Sequence, residues 1–206
     1  MRSIHILILT LFIFGCSDIK DQTRILEIDT KYKNGQLDEA KSDLELLLTE
    51  SPENETAWTL LGHILSDQDL DDEAKEAYLK ALDIDSKTVE AITGMGILSR
   101  RAGNYDKAAE YYYKAIELDP EYAQAYSSLV VIHLKQKDFE SAVDVGKKGY
   151  ALDKEDPIIA SNLAVAYHYY GDSINGQKYY NIAAKIGYQN LESLDKIFSG
   201  EFTIFD

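Results

Sequence analysis

Five copies of one 34-residue pattern run end to end through the chain, as residues 21–54, 55–88, 89–122, 123–156 and 157–190, with no insertion or gap. A strict period of this length constrains the fold more than composition does. One copy is too small to bury its own apolar face, so the copies must stack and share a continuous core in a one-dimensional array. Within a copy, apolar and small residues recur at spacings of three, four and seven: Ile92, Met95, Gly96 and Ser99 in one segment, Ala108, Tyr112, Ala115 and Ile116 in the next. That is the helical period, met twice per copy. Gly62, Gly96 and Ala164, with the series Ala40, Ala74, Ala108 and Ala142, stand where two helices must approach closely and a larger side chain would overpack the contact. Gly35, Gly103 and Gly171 fall between the two helices of a copy, where a residue free to take positive φ ends a helix at little cost. Pro52, Pro120 and Pro157 lie at the junctions between copies, as a helix start tolerates proline.

The copies differ in ways that predict unequal stability. The first has Glu27 and Ile28 where the second has Leu61 and Gly62, and reads as a worn terminal repeat with a more polar outer face. Gly146, Gly149 and Gly176 lie inside the second helices of the fourth and fifth copies. Each costs about 1 kcal/mol against Ala, so these helices are expected to be the softest. After Asn190, Leu191, Leu194, Ile197 and Phe198 share one face of a further helix that closes the array. Residues 191–206 form this capping helix and a tail, EFTIFD, too short to assign.

The N-terminus belongs to another class of segment. A short basic start (Met1-Arg2-Ser3) precedes an apolar run from Ile4 to Phe14, too short to span a bilayer and suited to a secretory signal. Ile13-Phe14-Gly15-Cys16 resembles a bacterial lipobox, in which lipid is attached to the cysteine and cleavage falls just before it. Phe14 is bulkier than that motif prefers. Cys16 is the only cysteine, so no internal disulfide can use it. The expectation is a signal peptide over 1–15 and a palmitate-type anchor at Cys16 with a tether over 16–20. The chain would then be a lipoprotein held to the bacterial cell envelope, on the periplasmic face of the outer membrane. Ser17 supports the outer membrane because Asp there retains enteric lipoproteins in the inner one.

Charge excludes several partners. The chain carries −15, and losing Arg2 with the signal makes it −16. Such a chain does not bind nucleic acid through a general field, nor is it drawn to an anionic leaflet, so the lipid must supply the membrane attachment. Asp67, Asp69 and Asp71 begin like a calcium loop, but Asp72 stands where the turn needs glycine and Tyr78 where a bidentate Glu is needed. Gly94 and Gly96 open like a phosphate loop, yet Ser99 replaces the third glycine and no strand precedes them. His63, His133 and His168 lie in different copies without metal-ligand spacing. The reading is therefore no catalytic residue, no metal and no cofactor.

Trp58, Leu61-Gly62, Ala74, Tyr78 and Ala81 in the second copy, and Gly103, Tyr105, Ala108, Tyr112, Ala115 and Pro120 in the third, resemble the tetratricopeptide repeat (TPR). The resemblance implies an all-α, right-handed solenoid of five helix-turn-helix repeats plus a C-terminal capping helix. It also implies a concave groove lined by repeat positions 2, 5, 9, 12 and 13 that takes a protein or peptide partner. Mapped residue by residue, the groove candidates are Thr59, His63, Thr93, Ile97, Arg100, Arg101, Ser127, Val131, Lys135, Ser161, Val165, His168 and Tyr169. Ile97, Val131 and Val165 form an apolar stripe edged by Thr93, Ser127 and Ser161 and bordered by Arg100, Arg101 and Lys135, which points to a partner segment with apolar and acidic residues. No copy carries the Lys and Asn clamp by which some family members bind chaperone tails. Envelope lipoproteins of this type include pilus-assembly pilotins, a barrel-assembly subunit and adaptors of cell-wall hydrolases, and no residue selects among them. The expected function is a non-catalytic, membrane-anchored scaffold or adaptor in envelope assembly or maintenance. The rivals are a carrier of a small ligand in the groove and a self-assembling structural repeat.

Overall fold

The computed structural model describes residues 19–205. The signal segment, Cys16 and Ser17 lie outside the described residues. Eleven helices follow: α1 (19–33), α2 (Leu37–Glu50), α3 (Glu55–Asp67), α4 (Asp71–Ile84), α5 (Val89–Arg101), α6 (Tyr105–Leu118), α7 (Ala123–Lys135), α8 (Phe139–Leu152), α9 (Pro157–Tyr170), α10 (Ser173–Lys185) and α11 (Leu191–Ser199). There is no strand among the described residues. The period is kept to the residue: α3, α5, α7 and α9 start at 55, 89, 123 and 157, and α2, α4, α6, α8 and α10 at 37, 71, 105, 139 and 173. The fold is a TPR array of helix-turn-helix repeats closed by a C-terminal helix. Residues 19 and 20, expected in the tether, are already helical.

The turn inside each repeat reuses one backbone state. Gly35, Asp69, Gly103, Lys137 and Gly171 take φ of 77°, 59°, 77°, 61° and 91°. A left-handed conformation costs a residue with a Cβ roughly 1–2 kcal/mol. Asp69 and Lys137 accept it because the packing of the two flanking helices fixes the turn. Helix starts are capped by side chains where the chain offers them: Asn54 accepts from the Ala57 N–H, Asp138 from Ser141, Asp156 from Ile158 and Ile159, and Asp172 from Asn175. Junctions repeat as well. The Trp58 indole donates to the Pro52 carbonyl at 2.8 Å, and the Tyr126 hydroxyl to the Pro120 carbonyl at 3.0 Å, two repeats further on.

The chain divides into two compact units that meet within α5, between Gly94 and Met95. In the first, α2 packs on α3 and α3 on α4. The worn first repeat holds itself partly with polar contacts, Arg24–Glu50 at 2.7 Å and Lys31–Asp43 at 2.5 Å. Its core is built around Tyr78. The ring lies over two glycines, and a Cβ added to Gly62 or Gly94 would sit 2.5 or 2.3 Å from ring carbons. The Tyr78 hydroxyl and His63 Nδ1 share a hydrogen bond of 2.8 Å.

In the second unit, α6 packs on α7, α7 on α8, α8 and α10 on α9, and α11 on α9. Tyr112 repeats the glycine contact, lying 2.5 Å from a Cβ built on Gly96. The fourth repeat then inverts the sizes. Val130 stands at the register of Gly96, and Gly146 at the register of Tyr112. A Cβ on Gly146 would meet Leu163 Cδ1 at 3.0 Å and Val130 Cγ2 at 3.2 Å. Bulk has moved from the second helix to the first, and the glycine makes room for it. Gly146 and Gly149 of α8 are buried contact residues, with Tyr126 Cβ 3.1 Å from the Cβ position of Gly149. Leu194 and Ile197 of α11 are buried in one cluster with Val130, Leu134, Val143 and Val165.

Candidate functional site

In the first unit a cleft of about 860 Å³ opens on the first helices of the repeats. Gln22, Ile25 and Asp29 reach it from α1, Thr56, Thr59, Leu60 and His63 from α3, and Glu90 from α5. The α2–α3 junction adds Ser51, Pro52, Glu53 and Asn54. Helical period explains the alignment, since residues three and four apart share a face and the 34-residue repeat lays equivalent faces side by side.

This cleft is acidic, and the basic residues expected to border the groove, Arg100, Arg101 and Lys135, lie outside it. Its lining includes Asp21, Asp29, Glu53, Glu55 and Glu90 and no Lys or Arg. Glu55 opens α3 and Glu90 is the second residue of α5, so both complement the positive ends of their helix dipoles. Asp29 is offset by Lys33 at 2.6 Å, and Asp21 accepts from the Ser51 hydroxyl at 2.6 Å. Burial holds His63 below the usual imidazole range, against the opposing pull of Asp67 and Glu90. The lining of the cleft thus carries a net negative field.

The remaining groove candidates divide by burial. Thr93, Ser127, Ser161 and Val165 are all less than a tenth exposed, as is Thr59 in the lining of the cleft. The Thr59 hydroxyl donates to the Glu55 carbonyl, that of Ser161 to the Ile158 carbonyl, and Ser127 Oγ accepts from Asn162 Nδ2 at 2.9 Å. The Thr59 and Ser161 hydroxyls bond within their own helices, and the Ser127–Asn162 bond joins α7 to α9. Val165 is covered through the α11 cluster. Ile97 and Val131 are half-buried. Arg100 is half-buried beside Tyr112, whose phenol burial pushes up and Arg100 partly draws down. Arg101 and Lys135 are exposed.

His168 and Tyr169 are engaged by the C-terminus. The Phe198 ring lies 4.6 Å from His168, and burial lowers the His168 pKa. The tail beyond Gly200 turns back onto the second unit. Lys135 Nζ donates to the Ile204 carbonyl, and the Ile204 N–H donates to the Tyr169 hydroxyl at 3.1 Å. Phe205 lies 5.1 Å edge-on to Tyr169 and 6.2 Å from Phe139, with Lys137 Nζ 5.1 Å from its ring centre. The sequence brought Lys135 and Tyr169 forward as equivalent positions one repeat apart, but not Lys137, Phe139 or the tail. Their only signal is the aromatic and aliphatic content of EFTIFD in an otherwise polar C-terminus. Among the described residues no group of three His, Cys, Asp or Glu is placed to hold a metal ion, and no helix is long and apolar enough to cross a membrane.

Comparison with known proteins agrees with this architecture. Family models described as tetratricopeptide repeat match residues 55–88 and 93–157. No curated relative matches the chain. Among solved structures, PilF of Pseudomonas aeruginosa is 23% identical, with a TM-score of 0.72 over 90% of this chain and 87% of that one. TTC0263, a thermophilic TPR protein of Thermus thermophilus, is 19% identical with a TM-score of 0.74 over 87% and 97% of the two chains. PilW, a widely conserved type IV pilus biogenesis factor, is 20% identical with a TM-score of 0.69 over 87% and 89%. Repeated helix pairs in an unbroken phase, the glycine–tyrosine contacts and the matching family models lead to one assignment: this chain belongs to the tetratricopeptide repeat family.

Proposed function

We propose that the chain is a non-catalytic docking scaffold, anchored by lipid at Cys16 to the periplasmic face of the bacterial outer membrane, that holds a protein partner for envelope assembly. The observation that carries the docking role is the open cleft on the first helices of the first unit, with carboxylates around Ile25, Leu26 and Leu60. Leu26 is 67% exposed. An apolar floor within a negative rim suits a partner segment that mixes apolar and basic side chains, because charge complementarity sets orientation and rejects acidic competitors. The likeness of fold to PilW, a type IV pilus biogenesis factor, makes pilus biogenesis the first process in which to seek the partner. The anchor rests on the order of basic start, apolar run and lone cysteine.

Recovery of partners from detergent-solubilised envelope, with wild type and Glu55→Lys/Glu90→Lys compared, tests the docking role. A protein recovered by wild type and lost with the double variant supports it. A small molecule that co-purifies instead, or self-association alone, overturns it. Metabolic labelling with a radioactive fatty acid tests the anchor: wild type takes up label and Cys16→Ser does not, whereas an unlabelled wild type ends the lipoprotein assignment.

A further inference from the structure

The seat of the C-terminal tail has features that closing the array does not require. The fifth repeat is already capped by α11 through the buried side chains of Leu194 and Ile197, and α11 ends at Gly200 with φ of 78°. Residues 203–205 lie beyond that stop, half-buried and outside any helix. Their grip is of a kind that reads a short non-helical peptide, with residues 204 and 205 in a turn. Both backbone groups of Ile204 are met by side chains, the carbonyl by the Lys135 ammonium and the N–H by the Tyr169 hydroxyl. The Ile204 side chain packs at the edge of the α11 cluster. Phe205 sits against the stacked pair Phe139 and Tyr169, whose centroids are 5.8 Å apart, under the Lys137 ammonium. Backbone contacts give such a site affinity that does not depend on sequence, and the two side-chain seats give it selectivity.

We propose that this seat is a docking site for a short non-helical segment of a partner protein that presents a β-branched aliphatic residue followed by an aromatic, and that residues 203–205 are its displaceable occupant. The proposal rests on the reading of the chain as a docking scaffold but uses a different surface from the first unit's cleft. The tail itself shows which chemistry fits. Lys135 and Lys137 favour a segment whose flanks are neutral or acidic, as the Glu201 flank of the tail is. A tethered occupant competes at a high effective concentration, of millimolar order for a short connection. A partner segment therefore meets a site that is open only part of the time, and its apparent affinity falls by the open fraction.

Fluorescence polarisation of a labelled peptide, Gly-Glu-Phe-Thr-Ile-Phe-Asp, against the full chain tests the exchange. Phe205→Ala should release the tail and bind the peptide about 10-fold or more tightly than wild type. Adding Lys135→Ala to Phe205→Ala should reverse the gain, and a peptide with Ser in place of its second Phe should not bind. Circular dichroism and melting of each variant confirm the fold. Should Phe205→Ala perturb it, Phe205→Leu keeps the apolar bulk, removes the ring contacts and serves as the second release variant. Equal affinity for wild type and both release variants, or no binding by a release variant that melts like wild type, overturns the proposal. Envelope partner recovery that depends on Glu55 and Glu90, with no peptide binding by either release variant, sinks the tail site and leaves the scaffold reading standing. Peptide exchange without any recovered partner supports the tail site while the cleft reading fails.

Discussion

The first unit's cleft and the second unit's tail seat use opposite ends of equivalent helices. The cleft draws on residues 21–29 of α1, residues 55–63 of α3 and the start of α5, the seat on the last residues of α7 and α9 and the turn that follows α7. Their charges follow. Glu55 and Glu90 stand where helices begin and Lys135 where one ends, each opposing the local end of the helix dipole, whereas Asp29 lies late in α1 and is paired with Lys33. A repeat array therefore offers two chemically distinct edges from one pattern, and the residues that vary between repeats decide which edge is open. The cores of the units differ in parallel. Repeats two and three place glycine on the first helix under tyrosine from the second, whereas repeat four places valine over glycine. The same gap is filled from either side.

The largest expected effect separates the two kinds of glycine. Gly94→Ala would set a Cβ 2.3 Å from the Tyr78 ring, which its bond to His63 holds in place. It should destabilise the chain by about 1–3 kcal/mol in urea unfolding. Gly176→Ala meets nothing closer than the His168 backbone nitrogen at 3.4 Å. It should be neutral or gain up to about 1 kcal/mol from helix propensity. Equal costs at the two positions would break the distinction.

The size exchange in repeat four is sharpened by a double-mutant cycle. Val130→Ala opens a small cavity and Gly146→Ala crowds Val130 Cγ2 and Leu163. The pair should couple favourably by about 0.5 kcal/mol or more. Additive effects would mean that the two positions do not share the gap.

The smallest effect concerns pH. Burial lowers the pKa of His63 in the first unit and of His133 and His168 in the second, with Asp67 and Glu90 opposing at His63 and Asp138 at His133. The folded chain therefore binds fewer protons than the unfolded one just below pH 6.5. This contribution is present above the unfolded pKa and is lost as pH falls through about 6.5 toward the folded values. Melting temperature should fall between about pH 7 and about pH 5, and His63→Gln should flatten the slope. A melting temperature that rises with acid would contradict the burial of these rings.

The 34-residue phase by itself determined the helix pair of each repeat and the turns at Gly35, Gly103 and Gly171, and the spacing of Leu191, Leu194, Ile197 and Phe198 the closing helix, because hydrophobic period and local turn chemistry are short-range. It also made the first helices the face to inspect, and with it Thr59, His63, Lys135 and Tyr169. Tertiary structure alone decided what those residues do. Ser127 and Ser161 look like polar groove residues in sequence and are buried, Ser127 beneath Asn162 of the next first helix. Gly146 looks like a weak point and is half of a size exchange across two helices. Asp69 and Lys137 give no sign of a left-handed turn, yet the packing of the helices around them imposes one. The tail shows the limit most plainly. Ile204 meets Lys135 across 69 residues of chain, and no local pattern encodes a contact between a short non-helical segment and side chains that two successive repeats bring to one edge.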